Sequence, residues 1–584
     1  MQNLLPRLKE RKLVQWALAY LAFAFALIQV LDVVAQRFGW PDLLERVLIL
    51  ALVLGFFVTL VIAWYHGERG AQRVSGTELL ILALLLAIGG GLLWRAAKHS
   101  AQASLTGTAK AVAVAAPGKS IAVLPFVNMS GDAKNDYFSD GITEEILDAL
   151  AQLPDLKVAA RTSAFAFKGK AEDLRKVGEA LDVATVLEGS VQTSGDEVRI
   201  TAQLIDTRSG YHLWSEKYDR KLTSIFAVED EISKAIADKL QVQLAGGNAH
   251  ALVAQEEIDP RAHDFYLRGL TLLASRSVAE AVEAFRQAVA IDPNYAQGWA
   301  ALAEAQALLP AYGPTAPAIA NRDALESARR ALALNPDDAL AYVAQGMVFS
   351  NQMRWAQADR ALRRALSLAP RDAEALNQYA QFLHAVGQLA PALDVLDRAL
   401  QADPMSGISA SIHLQLSLQL GRVDAATAGA QAKRILAAHP ESVFVHRATS
   451  TIYLALRDYA EAEAQVRKAV ALNGGDPEAK ALLIRGIADP GQRARAVQSL
   501  EFSPANADLR RDPILCAYYL IQLGQPASAL EKLGEITTDG SSTIPQMLWS
   551  RAFAPLRNDP RFKAVLKRIG LPYVPEKIEI GGKS

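Results

Sequence analysis

The chain of 584 residues has one cysteine, Cys516, which is too few for a disulfide framework or a cysteine-rich metal site. No local motif surrounds it, so it reads as a small buried residue rather than a nucleophile. An excess of charge of one sign is also missing. The 61 basic and 62 acidic residues leave a formal net charge of -1, so no overall field suggests nucleic acid as a partner. Catalytic signatures are absent as well: there is no H-E-x-x-H, no G-x-S-x-G and no metal-spaced cluster of Cys and His. Gly118-Lys119-Ser120 is not a phosphate loop, because position 113 is Ala and the triplet precedes a strand instead of joining a strand to a helix. The nine histidines are scattered, and His263, His384, His413 and His446 read as surface or groove residues of helices. The expectation is a protein without catalytic residues, cofactor or metal.

What is present begins with long apolar runs. Leu13 to Val34, Val47 to Trp64 and Leu79 to Trp94 carry almost no charge. A spanning helix needs about 20 residues, so the first two qualify and the third is short. Such a succession predicts a permanent anchor over 1–97 rather than a cleaved signal. Arg7, Lys9, Arg11 and Lys12 place the amino terminus in the cytoplasm. With three spans the rest of the chain faces the opposite compartment, and with two it is cytoplasmic. The expected localisation is a multi-pass inner membrane protein with its carboxy-terminal domains in the periplasm, and the expected partners include the lipid bilayer. Residues 98–119, rich in Ala, Ser, Thr and Gly, read as a flexible linker.

From Ile121 the pattern changes. Ile121 to Val127 is a continuous apolar run, as for a strand buried on both faces. Ser139 or Asp140 can cap a following helix whose Ile142, Ile146, Leu147 and Leu150 share a face. Glu144 and Glu145 then fall in its first turn, where the helix dipole accounts for them without an active site. Strands follow at 155–160, 185–193 and, after the turn Ser194-Gly195-Asp196, at 198–204 and 211–218. Helices are expected at 171–181 and from about 225 to 244. This order predicts a mixed sheet with helices against it over 120–245. The strings SIAVLPFVNMSGD, YFSDGITEEILDALAQLPDLKVAARTSAF and VLEGSVQTSGDEVRITAQLIDTRSGYHLWSEKYDR resemble the TolB-like amino-terminal domain of bacterial membrane proteins. That resemblance implies a signalling context, in which the effector is a cyclase, a kinase or a DNA-binding domain. Only twelve residues precede Leu13, too few for an effector domain, so the output module is expected to be missing or supplied by a partner.

Over 260–512 the chain becomes periodic. Pro336, Pro370 and Pro404 recur at an interval of 34, and within the unit before Pro370 stand Tyr342, Gly346, Phe349, Ala358, Leu362 and Ala365. The same phase gives Phe265, Gly269, Leu272, Ala281, Phe285 and Ala288 earlier, and Leu376, Ala380, Leu383, Ala392, Leu396 and Ala399 later. Period and residue types resemble the tetratricopeptide repeat family. Residues 513–584 read as a degenerate terminal repeat and cap. The expected fold class is therefore α+β overall: transmembrane helices, a mixed α/β TolB-like domain and an α-solenoid.

The expected function is a membrane-anchored, non-enzymatic scaffold or sensory module that binds other proteins. The alternative is a signalling enzyme with a site around Asp140, Glu144 and Glu145, or the sensor half of a cyclase, kinase or transcription-regulator system. A pocket joining the carboxylates to Arg161 or His212 would favour an enzyme, and a solvent-facing first turn a scaffold. The resemblance to the repeat family nominates a protein-binding groove of His263, Tyr266, Gln297, Glu304, Val343, Met347, Asn351, Glu374, Asn377, Gln381 and His384. Tyr266 is its expected aromatic anchor. The Lys and Arg clamp that holds a terminal carboxylate in some relatives is not evident, so an internal segment is the expected ligand.

Overall fold

A computed structural model describes residues 119–151, 153, 156–170, 172–195, 197–221, 225–239, 258–312, 315–537 and 545–575, all within the unit Ala116–Ser584. Strands β1 (Ser120–Val123), β2 (Val127–Asn128), β3 (Lys157–Val158), β4 (Thr185–Ser194), β5 (Glu197–Asp206) and β6 (His212–Lys221) form one sheet. Its order is β3-β1-β4-β5-β6, with β2 paired to β4. The strands β3, β1 and β4 run parallel, and β4, β5 and β6 form an antiparallel meander. Against it lie α1 (Asp136–Ala151), α2 (Arg161–Phe165), α3 (Leu174–Leu181) and α4 (Ile225–Lys239).

The single strand expected at 121–127 is two. Pro125 has no N–H to donate, so the ladder breaks there, and the Phe126 N–H turns to Thr143 Oγ1 instead at 3.0 Å. The helix expected to start at Ser139 or Asp140 starts earlier, because Asp132 caps a 3-10 turn over Ala133–Asn135 that runs on into α1. Ser139 and Asp140 are consequently buried inside α1, and Glu144 and Glu145 lie beyond its first turn.

Helical hairpins follow. They pair α5 (Pro260–Ala274) with α6 (Val278–Ile291), α7 (Ala296–Tyr312) with α8 (Pro317–Leu334), and α9 (Ala339–Asn351) with α10 (Trp355–Leu368). The next are α11 (Ala373–Ala385) with α12 (Leu389–Ala402), α13 (Gly407–Gln419) with α14 (Ala425–Ala438), and α15 (Val443–Leu456) with α16 (Tyr459–Leu472). First helices start at side-chain caps that recur with the repeat: Asp338, Asp372, Ser406 and Ser442 each accept from a backbone N–H three residues on. Within hairpins, small residues admit large ones. A Cβ on Gly269 would lie 2.4 Å from Phe285, and one on Gly346 would lie 2.4 Å from Leu362.

The array continues through α17 (Pro477–Ala488), α18 (Arg493–Phe502), α19 (Ala507–Arg511), α20 (Pro513–Gln522) and α21 (Pro526–Gly534). Two 3-10 turns, Pro545–Trp549 and Arg551–Leu556, and α22 (Pro560–Arg568) then return to the middle repeats. Trp549 Nε1 donates to the Ala385 carbonyl at 2.8 Å, and Trp355 Nε1 donates to the Ile569 carbonyl at 2.7 Å. Gln419 donates to the Trp549 carbonyl, and the Tyr573 hydroxyl reaches Asp359 at 3.4 Å.

Among the described residues no helix is long and apolar enough to cross a membrane. This corrects the expected fold class: the described molecule is mostly a helical solenoid with a small amino-terminal sheet region, not an α+β protein with transmembrane helices. The multi-pass inner-membrane localisation and the bilayer as a partner are not supported on the same ground. The runs 13–34, 47–64 and 79–94 that prompted them lie outside the described residues.

Gly346→Ala gives a signed test of the packing. Alanine improves helix propensity, so a gain of up to about 1 kcal/mol would follow were the site open. The approach of Leu362 predicts instead a loss of about 1–3 kcal/mol in urea unfolding. A gain in stability would contradict the close approach.

Candidate functional site

The inner face of the array is built by the first helix of each hairpin, and the sheet region lies across its beginning. Helix α1 crosses α5 where it has no side chain: a Cβ on Gly141 would sit 2.6 Å from Leu267. Ile142, Ile146 and Leu150 of α1 share one continuous core with Ala262, Tyr266, Leu267 and Phe285 of the first hairpin. At the rim of this contact the Tyr137 hydroxyl donates to Asp264 at 2.5 Å, and Arg268 pairs with Asp264 at 2.8 Å while lying over the Tyr137 ring.

A second attachment joins residues about 240 apart in the chain. The Ala160 N–H donates to the Ala402 carbonyl at 3.2 Å. Ser163 Oγ, at the start of α2, donates to Asp403 Oδ1 at 2.5 Å and accepts from the Met405 N–H at 3.0 Å. The sheet region thus touches the array at α5 and again at the turn between α12 and α13.

Carboxylates gather between the two attachments. From α1 come Glu144, Glu145 and Asp148, and from the array come Glu304 on α7 and Asp372 and Glu374 at the start of α11. Burial raises Glu144 above the usual carboxylate range, against the pull of Arg161, whose Nε lies 2.6 Å from Glu144 Oε2. Arg161 also covers the Phe165 ring at 4.1 Å. Asp148 is raised well above its ordinary value by crowding protein and then by the charges of Glu144, Glu145 and Asp372. Glu304 is raised by burial and by Glu374, with Arg276 opposing. Burial pushes Asp372 up to about 6, although its own capping bonds to α11 favour the ionised form. Asp148, Asp372 and Glu374 are exposed by surface area, whereas Glu144 and Glu304 are half-buried, so water screens much of the crowding at the first three.

The nominated groove residues divide. His263 and Tyr266 are buried beneath the sheet region, at 2% and 5% exposure. His263 shares a hydrogen bond with the Tyr295 hydroxyl at 3.1 Å, and burial holds its imidazole down to about 3. Tyr266 packs on Tyr295 and Phe285. Val343, Met347, Asn377 and His384 are also buried, and burial lowers His384 to about 4. Asn377 donates to Ser409 at 2.7 Å and accepts from Gln381 at 2.6 Å. Gln297, Glu304, Asn351 and Gln381 are half-buried and Glu374 is exposed. Of the candidate enzyme residues, Asp140 pairs with Lys168 at 2.5 Å and Glu144 with Arg161, whereas His212 stands on the exposed strand β6. Among the described residues no group of three His, Cys, Asp or Glu is placed to hold a metal ion.

The sequence reading did not nominate Asp148, Asp372, Ser163 or Asp403. Asp372 carried a signal, since it stands where a cap belongs in the 34-residue phase. Ser163 carried none, because its partner is remote in sequence.

The family model described as Tetratricopeptide repeat matches residues 343–406, and a second of the same description matches 265–295. The array is built of tetratricopeptide repeats. A curated protein of Rhizobium meliloti (strain 1021), "Putative adenylate cyclase 3", is 45% identical over 186 residues, which is 31% of this chain. The chain therefore spans 32% of the length of that relative. Among solved structures, a thermophilic tetratricopeptide protein of Thermus thermophilus is 20% identical, with 33% of this chain and 99% of that one covered and a TM-score of 0.29. PilF of Pseudomonas aeruginosa is 22% identical, covering 41% and 97%, with a TM-score of 0.28. YrrB, described as a tetratricopeptide protein with an unusual peptide-binding site, is 19% identical, covering 33% and 93%, with a TM-score of 0.23. At such identities the likeness extends to the repeat fold alone.

Arg161→Ala tests the electrostatics of the cleft. It leaves Glu144 as a largely buried anion without its cation, which costs about 1–3 kcal/mol when the carboxylate is ionised. Because Glu144 is already raised, protonation replaces the lost partner in acid. The destabilisation is therefore expected to be larger near pH 8 than near pH 5 in urea unfolding, and an equal or reversed order would refute the pairing.

Proposed function

We propose that this chain is a non-enzymatic protein-interaction scaffold that receives an extended internal segment of another protein along the inner face of its repeats. A tetratricopeptide array is a scaffold of the protein-interaction type, and its inner surface is its largest continuous recognition area. The observation that carries the reading is the division of that face. The sheet region covers His263 and Tyr266, whereas Glu374, the half-buried Gln381 and, one and two hairpins on, Gln415 and Arg447 remain reachable. The reachable stretch starts acidic at Glu374 and becomes basic at Arg447, so a segment carrying both signs of charge fits it in one direction.

The TolB-like reading of residues 120–245 is supported by the quoted strings, which map onto one sheet and its helices. The Rhizobium match favours a second reading, in which the chain is the regulatory portion of a nucleotide-cyclase signalling system. The same scaffold serves both. Neither reading gives the chain a turnover of its own, so product formed by it would overturn both.

Two measurements check this. Charge reversal at both ends, Glu374→Lys with Arg447→Glu, is expected to remove the proteins that co-purify with the full chain while thermal unfolding stays within a few degrees of the parent. An unchanged set of partners on a folded variant would place binding elsewhere. Purified chain given ATP with magnesium or manganese is expected to form no cyclic AMP above the protein-free blank. Product that scales with protein concentration would make it an enzyme.

A further inference from the structure

We propose that the outer edge of the sheet, strand β6, joins the same strand of a second copy of this chain, so that two sheets run on as one. Strand β6 ends the order β3-β1-β4-β5-β6, and among the described residues no strand pairs with its far side. The array is fastened elsewhere: Ala160 and Ser163 follow β3, at the opposite edge, and α1 meets α5 at Gly141. Eight of the ten residues of β6 are exposed, all but Trp214 and Tyr218. Such an edge is long for a strand left open, since it offers a row of backbone N–H and C=O groups to any chain that can pair with it.

Charge decides which chain that is. Open edges usually carry charges that discourage pairing, because most registers set like charges opposite one another. Here one register does the reverse. In an antiparallel pair of identical strands centred on Tyr218, Lys217 stands opposite Asp219 of the second copy on one face, and Glu216 stands opposite Arg220 of the second copy on the other. Two-fold symmetry makes each of these pairs twice. Centring the pair on Glu216, Lys217, Asp219 or Arg220 instead sets that residue against its own charge. Centring on Ser215 avoids this, but it sets Lys217 against Leu213 and runs into the bulge that interrupts the β5–β6 ladder at Leu204 and Ile205. The complementary stretch, Ser215 to Lys221, is the part of β6 clear of that bulge.

The charged groups are reachable, and their partners within the chain are exposed ones. Asp219 accepts from Arg199 of β5 at 2.6 Å, and Lys217 lies 3.9 Å from it, with all three side chains at least half exposed. Arg220 reaches Glu231 of α4 at 2.9 Å and caps the Asp219 carbonyl at 3.1 Å. Glu216 accepts from Trp214 Nε1 at 3.2 Å and from the Tyr218 hydroxyl at 3.3 Å. Exposed ion pairs contribute little to stability, so they do not hold these side chains away from a second copy. Nor do charges supply most of the affinity: the backbone ladder does that, and the charges choose the register. A scaffold paired in this way carries two inner faces on one sheet, so a partner with two matching segments gains from their linkage.

Sedimentation of the full chain over a concentration series tests this. The parent is expected to show a monomer–dimer equilibrium, with dimer present by about 50 µM, as suits a small interface. Lys217→Glu sets an acid against Asp219 of the second copy, and Asp219→Lys sets a base against Lys217. Each variant alone is expected to raise the dissociation constant at least about tenfold while its thermal unfolding stays within a few degrees of the parent. Mixing the two variants restores opposite charges at both symmetry-related positions and is expected to recover a dimer close to the parent's affinity. That rescue separates loss of pairing from loss of fold. A parent that stays monomeric, including one whose β6 takes a strand from a different protein, would overturn the proposal. So would single variants that dimerise as the parent does, or a mixture that stays monomeric.

Discussion

Two helices approach closely within a hairpin where one of them carries a small residue, Gly269 and Gly346 in two hairpins and Ala380 at the same phase in the next, and this constraint organises the molecule. Gly269 faces Phe285, Gly346 faces Leu362, and Gly486 faces Ala496 at the distances of direct contact. Each approach fixes the angle between a first and a second helix, and repetition of that angle sets the inner face on which everything else is placed. The device reappears between domains: Gly141 faces Leu267, so α1 sits on α5 as closely as α5 sits on its own partner. The sheet region is consequently joined to the first hairpin by one continuous apolar core.

That core brings acids with it. The face of α1 next to Ile142 and Ile146 carries Glu144, Glu145 and Asp148, and helical periodicity leaves no way to bury the one row while keeping the other clear of the array. The array contributes its own acids for a different reason. Asp372 is where it is because α11 needs a cap, and Asp403 stands at the end of α12. The acids thus meet where two locally sensible requirements overlap, and Arg161 pairs with one of them, Glu144.

The repeat could be read from sequence because its cause is local and recurrent: an interval of 34, a small residue facing a large one, and a cap before each first helix. The start of α1 could not be read as easily. Two plausible caps, Ser139 and Asp140, stood in the right place, and the outcome was decided by Asp132, through a short 3-10 turn that leads into the helix. The candidate site was less legible still. Groove positions were nominated by repeat phase alone, and phase is blind to what else covers a surface: His263 and Tyr266 lie under α1, and the partners Ser163 and Asp403 are 240 residues apart. The apolar runs near the amino terminus pointed to a membrane, and the described helices offer no span to match them.

The return of the carboxy-terminal segment has a mechanical consequence. An open stack of repeats is a spring, in which small rotations at successive interfaces add up to a large change in reach. Here Trp549 is fastened to α11 and α13, and Trp355 and Asp359 of α10 are fastened to Ile569 and Tyr573. The coil from about residue 355 onward is thereby pinned to itself, and extension there must first break buried indole hydrogen bonds. Compliance is left to the two hairpins that precede the pin. Helix α1 rests on the first of those hairpins at Leu267, while Ser163 ties the same sheet region to Asp403 in the pinned part, so the sheet region spans from the compliant end to the stiff one.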